Sequence, residues 1–117
     1  MTDDRRGAVD AVDSVIVALA DPTRRHLLDL LAAKGEITAT TLAEGLPVSR
    51  QAVAKHLTVL AAAGLVSGNR VGREVRYAVH PAALDAAARR MAAIAADWDR
   101  RLATIKNLAE AAEREYR

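Results

Sequence analysis

Six polar residues within ten positions, Ser49, Arg50, Gln51, Lys55, His56 and Thr58, carry hydrogen-bonding groups and no acid among them. Gln can bond adenine through two hydrogen bonds and Arg can do the same with guanine, so Gln51 and Arg50 suit base-pair edges. Lys55 and Thr58 suit bases or backbone, and Ser49 and His56 suit phosphates. A second basic group follows in Arg70, Arg73 and Arg76, whose guanidiniums could reach phosphates or an adjacent minor groove. Positions 45 to 80 hold five bases against one acid, Glu74, whereas the rest of the chain holds 12 bases and 14 acids. The formal net charge of +2 is therefore concentrated on the residues that would face a polyanion.

Catalysis has no comparable foothold. The chain has no cysteine, its histidines (His26, His56, His80) are dispersed, and no glycine-rich phosphate loop is present. Without a converging set of acid, base and nucleophile, no enzyme activity is expected, and neither is a cofactor, a disulfide or a thiolate metal site. The competing reading from another class is a protein-assembly module with no specific DNA binding. An idle helix has no reason to exclude acids from its outer face beside a hairpin carrying three arginines.

The elements that must hold these groups are marked in the sequence. Ser49 is an N-cap and Gly64 a helix terminator, with Val53, Leu57, Leu60 and Ala61 recurring at helical spacing to face a core. Ahead of this helix, Thr38 caps a short one ending at Glu44, and Gly45-Leu46-Pro47-Val48 breaks the chain. Helix, tight break and helix make a helix-turn-helix unit. From Leu65-Val66 through Val71-Gly72 to Val79 the chain reads as a β-hairpin with a glycine-containing tip, Val75, Tyr77 and Val79 alternating with Glu74, Arg76 and Ala78. A first helix is expected over 8–20 and a second from Pro22, capped by Asp21, that buries Leu27, Leu28, Leu30 and Leu31.

After His80-Pro81 a last helix runs to about Tyr116, roughly 54 Å at 1.5 Å per residue, which is more than the body of a chain this short can cover. Leu84, Met91, Trp98, Ile105 and Ala112 recur by sevens, with Ala87, Ile94 and Leu108 between them and Leu102 beside the interrupting Arg101. The stripe predicts a homodimer whose interface holds Val9, Val12 and Ile16 of the first helix and Met91, Ile94, Trp98, Leu102, Ile105 and Leu108 of the last. The length of 117 residues fits one domain, 1–117, divided into the first helix (8–20), a DNA-binding core with its wing (21–80) and the terminal helix (81–116). With no apolar run near the ~20 residues needed to cross a bilayer and no signal-type segment, no membrane partner and a cytoplasmic location are expected.

The run A-L-A-D-P-T-R-R-H-L-L-D-L-L (18–31), then S-R-Q-A-V-A-K-H-L-T-V-L-A-A-A-G-L-V (49–66), then G-R-E-V-R-Y (72–77), strongly resembles the ArsR-type (ArsR/SmtB-like) winged helix-turn-helix transcriptional regulators of bacteria. The resemblance covers residues 12–110. It implies a mainly α fold with a small β-hairpin (α+β), five helices plus a two-stranded wing, dimeric through its terminal helices. It also implies a repressor that reads an inverted-repeat operator in double-stranded DNA and is relieved by a signal. Metal-sensing members carry a cysteine pair around the start of the third helix; the matching positions here are Thr38 and Thr40, whose hydroxyls are poor ligands for thiophilic ions. A second family site uses acids and histidines of the last helix, and no histidine follows His80. No metal site is expected, which leaves a small organic effector between the first and last helices, or none.

Overall fold

The computed structural model describes residues 4–116, with side chains from Asp10 onward. Its order is α1 (Asp4–Leu19), α2 (Pro22–Lys34), β1 (Ile37–Thr38), α3 (Ala39–Glu44), α4 (Arg50–Ala62), β2 (Val66–Val71), β3 (Glu74–Val79) and α5 (Pro81–Glu115). Two compact units divide it, one ending at Ala87 and the other beginning at Ala88. The described residues thus form five helices and a winged helix-turn-helix fold, with α3 and α4 as the helix-turn-helix pair. No described helix is long and apolar enough to cross a membrane.

Two elements depart in extent from what the spacing predicts. The first helix begins at Asp4, ahead of the expected Ala8. The sheet has three strands rather than two, in the order β1-β3-β2, all antiparallel. Ile37 pairs with Tyr77 and Thr38, the N-cap of α3, with Arg76, so these two residues close the open edge of β3. The hairpin turns over Gly72 and Arg73, with Val71 opposite Glu74. Only Gly72 has positive φ, at +65°, as a two-residue turn of the II′ kind requires at its first central position.

The junction of α1 and α2 shows why D-P-T-R-R stands where it does. The Asp21 carboxylate accepts the amides of Thr23 (2.7 Å) and Arg24 (3.3 Å), and Pro22 follows where no amide is missed. α1 has no basic residue in its last turn. Its free carbonyls are met from α2: Arg24 Nε donates to Ala18 O (2.6 Å), Arg24 Nη2 to Val17 O (3.3 Å), and Arg25 Nη1 to Leu19 O (2.6 Å). One helix start and one helix end are thereby satisfied by five consecutive residues.

Desolvation pushes the Asp21 carboxyl up, but the Arg24 and Thr23 amides and the charges of Arg24 and His56 outweigh it and hold the group below its ordinary value. A carboxyl lowered in the folded state contributes stability above its unfolded pKa, about 3.9, and that contribution is lost as pH falls through the lowered folded value. Asp21→Asn should therefore unfold more readily than wild type near neutral pH, with the gap closing as the pH falls below about 4. Urea titrations across that range check it; a gap independent of pH would remove the charged cap from this account.

The core of the first unit is aliphatic: Val15, Leu27, Leu28, Leu31, Leu42, Val53, Leu57, Leu60, Leu65 and Val66 are buried, with Ala18 and Ala87. Leu30, expected inside, is half-buried, and Ala61, expected on the core face, is exposed. The buried side of α4 is narrower than the pattern suggested, because Val53, Leu57 and Leu60 alone span it. Val12 packs partly on this core, as do Leu84 and the buried Ala87 at the start of α5. Val12, expected at the dimer interface, and Leu84 and Ala87, members of the α5 stripe, thus pack in the first unit's interior. His80 binds the beginning of α5 to β2, its amide donating to Leu65 O (2.8 Å) and its Nε2 lying 2.6 Å from Ser67 Oγ.

Candidate nucleic-acid interface

α4 is held by its caps at both ends. Ser49 Oγ accepts the Ala52 amide at 3.1 Å. At the other end, Gly64 at φ +78° lets its own amide reach Ala61 O and the Leu65 amide reach Leu60 O, both at 3.0 Å, the paired bonds of a Schellman ending. With Val53, Leu57 and Leu60 turned inward, the opposite side presents Arg50, Gln51, Ala54, Lys55 and Thr58, all exposed. No acid stands among them. The face expected from the spacing is therefore the face that is free.

Several assigned roles shift with the geometry. The Thr58 hydroxyl donates to Ala54 O (3.0 Å), so its donor is spent inside the helix and only its oxygen can accept. Ser49 retains a hydroxyl hydrogen, since its oxygen alone caps the helix. His56 is half-buried, and its charge is felt by Asp21 at the α1–α2 junction. It is partly covered, unlike the exposed residues of the free face, and stands as a candidate phosphate contact. Arg50 lies beside Gln51 but also lines a groove running to the hairpin.

In the hairpin, Arg70 and Arg73 are exposed. Arg76 is half-buried on β3, and its Nε sits 3.4 Å from Glu74 Oε2, so the only acid of the region is matched within its own strand. Val75, expected on the covered side, is 42% exposed, and Tyr77 is half-buried. The side chains of both lie close over Gly68 on the neighbouring strand, where an added Cβ would come within 3.0 Å of each. The smallest residue thus permits the hairpin's cross-strand packing.

A helix-turn-helix domain family profile matches residues 19–68. The transcriptional repressor SdpR of Bacillus subtilis is 36% identical over 73 residues, covering 62% of this chain and 80% of that one. An ArsR-like transcriptional regulator from Rhodococcus sp. RHA1 superposes with a TM-score of 0.76 at 48% identity, over 88% of this chain and 96% of its own. The chain belongs to the ArsR family of winged helix-turn-helix transcriptional regulators. The homodimeric winged helix-turn-helix DNA-binding domain of Mb0332 from Mycobacterium bovis, described as a possible ArsR-family regulator, is 29% identical with a TM-score of 0.62, over 85% of this chain and 88% of its own. This ArsR-family member is accordingly a DNA-binding regulator of transcription, in a family of regulators and not of enzymes.

At position 38 this ArsR-family chain uses its threonine structurally. Thr38 Oγ1 accepts the Thr41 amide (3.2 Å) to cap α3 and donates to Thr41 Oγ1 (3.1 Å). Among the described residues no three of His, Cys, Asp and Glu converge in a way that could hold a metal ion.

In the second unit, Met91, Trp98, Leu102, Ile105 and Leu108 are more than half exposed and Ile94 is 38% exposed. Arg101, the break in the stripe, has its guanidinium 5.0 Å from the Trp98 ring centroid and a 2.9 Å bond to Asp97. On α1, Ile16 is 38% exposed, and Val9 lies outside the residues whose side chains are described.

Proposed function

We propose that the protein is a homodimeric repressor that binds an inverted-repeat operator through α4 and the hairpin wing of each protomer, responding to no metal through a thiolate site. The observation that carries this is the free, acid-free face of α4 beside a hairpin bearing Arg70, Arg73 and Arg76. A polyanion rewards that pattern, and a protein partner gives no reason for it. The similarity to the transcriptional repressor SdpR and to the homodimeric Mb0332 domain supports the finer points.

The dimer is joined through Ile16 and the exposed stripe Met91, Ile94, Trp98, Leu102, Ile105 and Leu108, which two-fold symmetry would cover with its own copy. Its place of work is the cytoplasm, with the DNA it regulates. A small organic signal would suit the apolar groove of about 290 Å³ lined by Ala11, Val12, Ala83 and Ala86, between α1 and the first turns of α5. Such a signal acts only by favouring one of two dimer arrangements.

The test is preference for the protein's own upstream DNA over random duplex at moderate salt, with affinity falling steeply as salt rises. Equal affinity for both duplexes would end the repressor reading. Gln51→Ala is expected to lose about 1–3 kcal/mol on the operator and to relax the choice at one base position. A uniform loss on every sequence would instead make Gln51 a backbone contact.

A further inference from the structure

A groove of about 550 Å³ runs between the start of α4, α3 and the wing, with Thr38, Thr40, Thr41, Arg50, Arg73 and Glu74 among its walls. Thr38 spends its hydroxyl hydrogen on Thr41, but the donors of Thr40, Thr41, Arg50 and Arg73 are unspent. Thr40 makes no side-chain hydrogen bond among the described residues, and Thr41, whose oxygen accepts from Thr38, keeps its own hydroxyl hydrogen. Neither Arg50 nor Arg73 is in a salt bridge with a described residue, while the acid in the wall, Glu74, is matched by Arg76 at 3.4 Å. Two uncompensated guanidiniums from different elements, with two hydroxyl donors in the same groove, describe a site for a tetrahedral oxyanion. The space is many times the roughly 30 Å³ of a water in the liquid, enough for a phosphodiester with part of its sugars.

We propose that this groove seats one backbone phosphate of the bound DNA, with Thr40 and Thr41 donating to its oxygens and Arg50 and Arg73 neutralising it from opposite walls. Arg50 then anchors the duplex, and base reading falls to Gln51 and Lys55. The inference rests on the proposed DNA-binding role of α4 and the wing, and deepens it by giving Arg50 a backbone role and recruiting α3.

The experiment measures affinity against salt for wild type, Thr40→Val, Thr40→Ser, Arg50→Gln, Arg73→Gln and the double arginine variant, on upstream and random duplex. Thr40→Val should weaken both duplexes by the same factor, roughly tenfold, and Thr40→Ser should restore binding. Because either cation alone still neutralises the shared phosphate, the double variant should lower the slope of log affinity against log salt by about 0.9 in total. A fall of about 1.8 would mean two separate phosphates, and an unchanged slope with altered base preference would make Arg50 a base reader; either overturns the proposal. Wild type that binds DNA without sequence preference would sink the repressor reading alone, because the slopes on random duplex still test the groove. An operator preference with slopes and Thr40→Val unmoved would sink the groove alone.

Discussion

Trp98→Ala is expected to convert the proposed dimer to monomer at concentrations where wild type is paired. Trp98 is the largest member of a stripe on α5 in which Met91, Leu102, Ile105 and Leu108 are also more than half exposed within one protomer. Contiguous apolar surface of this kind on a DNA-binding regulator marks an interface. A two-fold pair buries the residue twice, and large-to-small truncation of a buried Trp costs about 3–5 kcal/mol per copy. Even a fraction of that sum exceeds the 1.4 kcal/mol that separates tenfold steps in dissociation constant. Sedimentation velocity over a dilution series reads the shift, and operator affinity should fall with it because two half-sites are no longer engaged together. An unchanged monomer–dimer equilibrium would remove Trp98 from the interface.

Leu57→Ala is expected to lower stability by about 2–5 kcal/mol, against a total of about 5–15 kcal/mol for a domain. Leu57 is fully buried on the inner side of α4, between the equally buried Val53 and Leu60. Its removal leaves a cavity directly beneath the helix that presents Gln51 and Lys55, so binding and stability should fail together as temperature rises. A drop in Tm of about 10 °C or more is the expected result for a body of this size. A change within about 2 °C would show that the α4 core closes around the loss more readily than native packing allows.

Much of both apolar surfaces is legible from spacing. Along α4 a period near 3.6 separated Val53, Leu57 and Leu60 from Arg50, Gln51, Lys55 and Thr58, and the capping residues Ser49 and Gly64 bounded the helix chemically. Both signals are local, since a hydroxyl reaching an amide three residues on and a glycine at positive φ need no distant partner. The family followed from three such segments in one order.

Other assignments required the folded chain. Ile37 and Thr38 become a strand only because β3 offers them an open edge, and two residues carry no period of their own. Arg24 and Arg25 look like surface charge until the last turn of α1 is brought over them. His56 shares the recognition helix with the DNA-facing residues, and only the packed chain shows it half-buried. Arg76, one of three apparently equivalent hairpin arginines, is distinguished by the carboxylate two residues away on the same strand face.

What the sequence by itself determined is the set of helices, the hairpin, the membership of the ArsR family and the acid-free face, because each depends on neighbours within a few residues or on an ordered run of motifs. Only the tertiary structure decided which cations remain unpaired and which hydroxyls are already spent. Those outcomes turn on distances that the folded backbone fixes, Thr58 to Ala54, Thr38 to Thr41 and Arg76 to Glu74, and no periodicity records them.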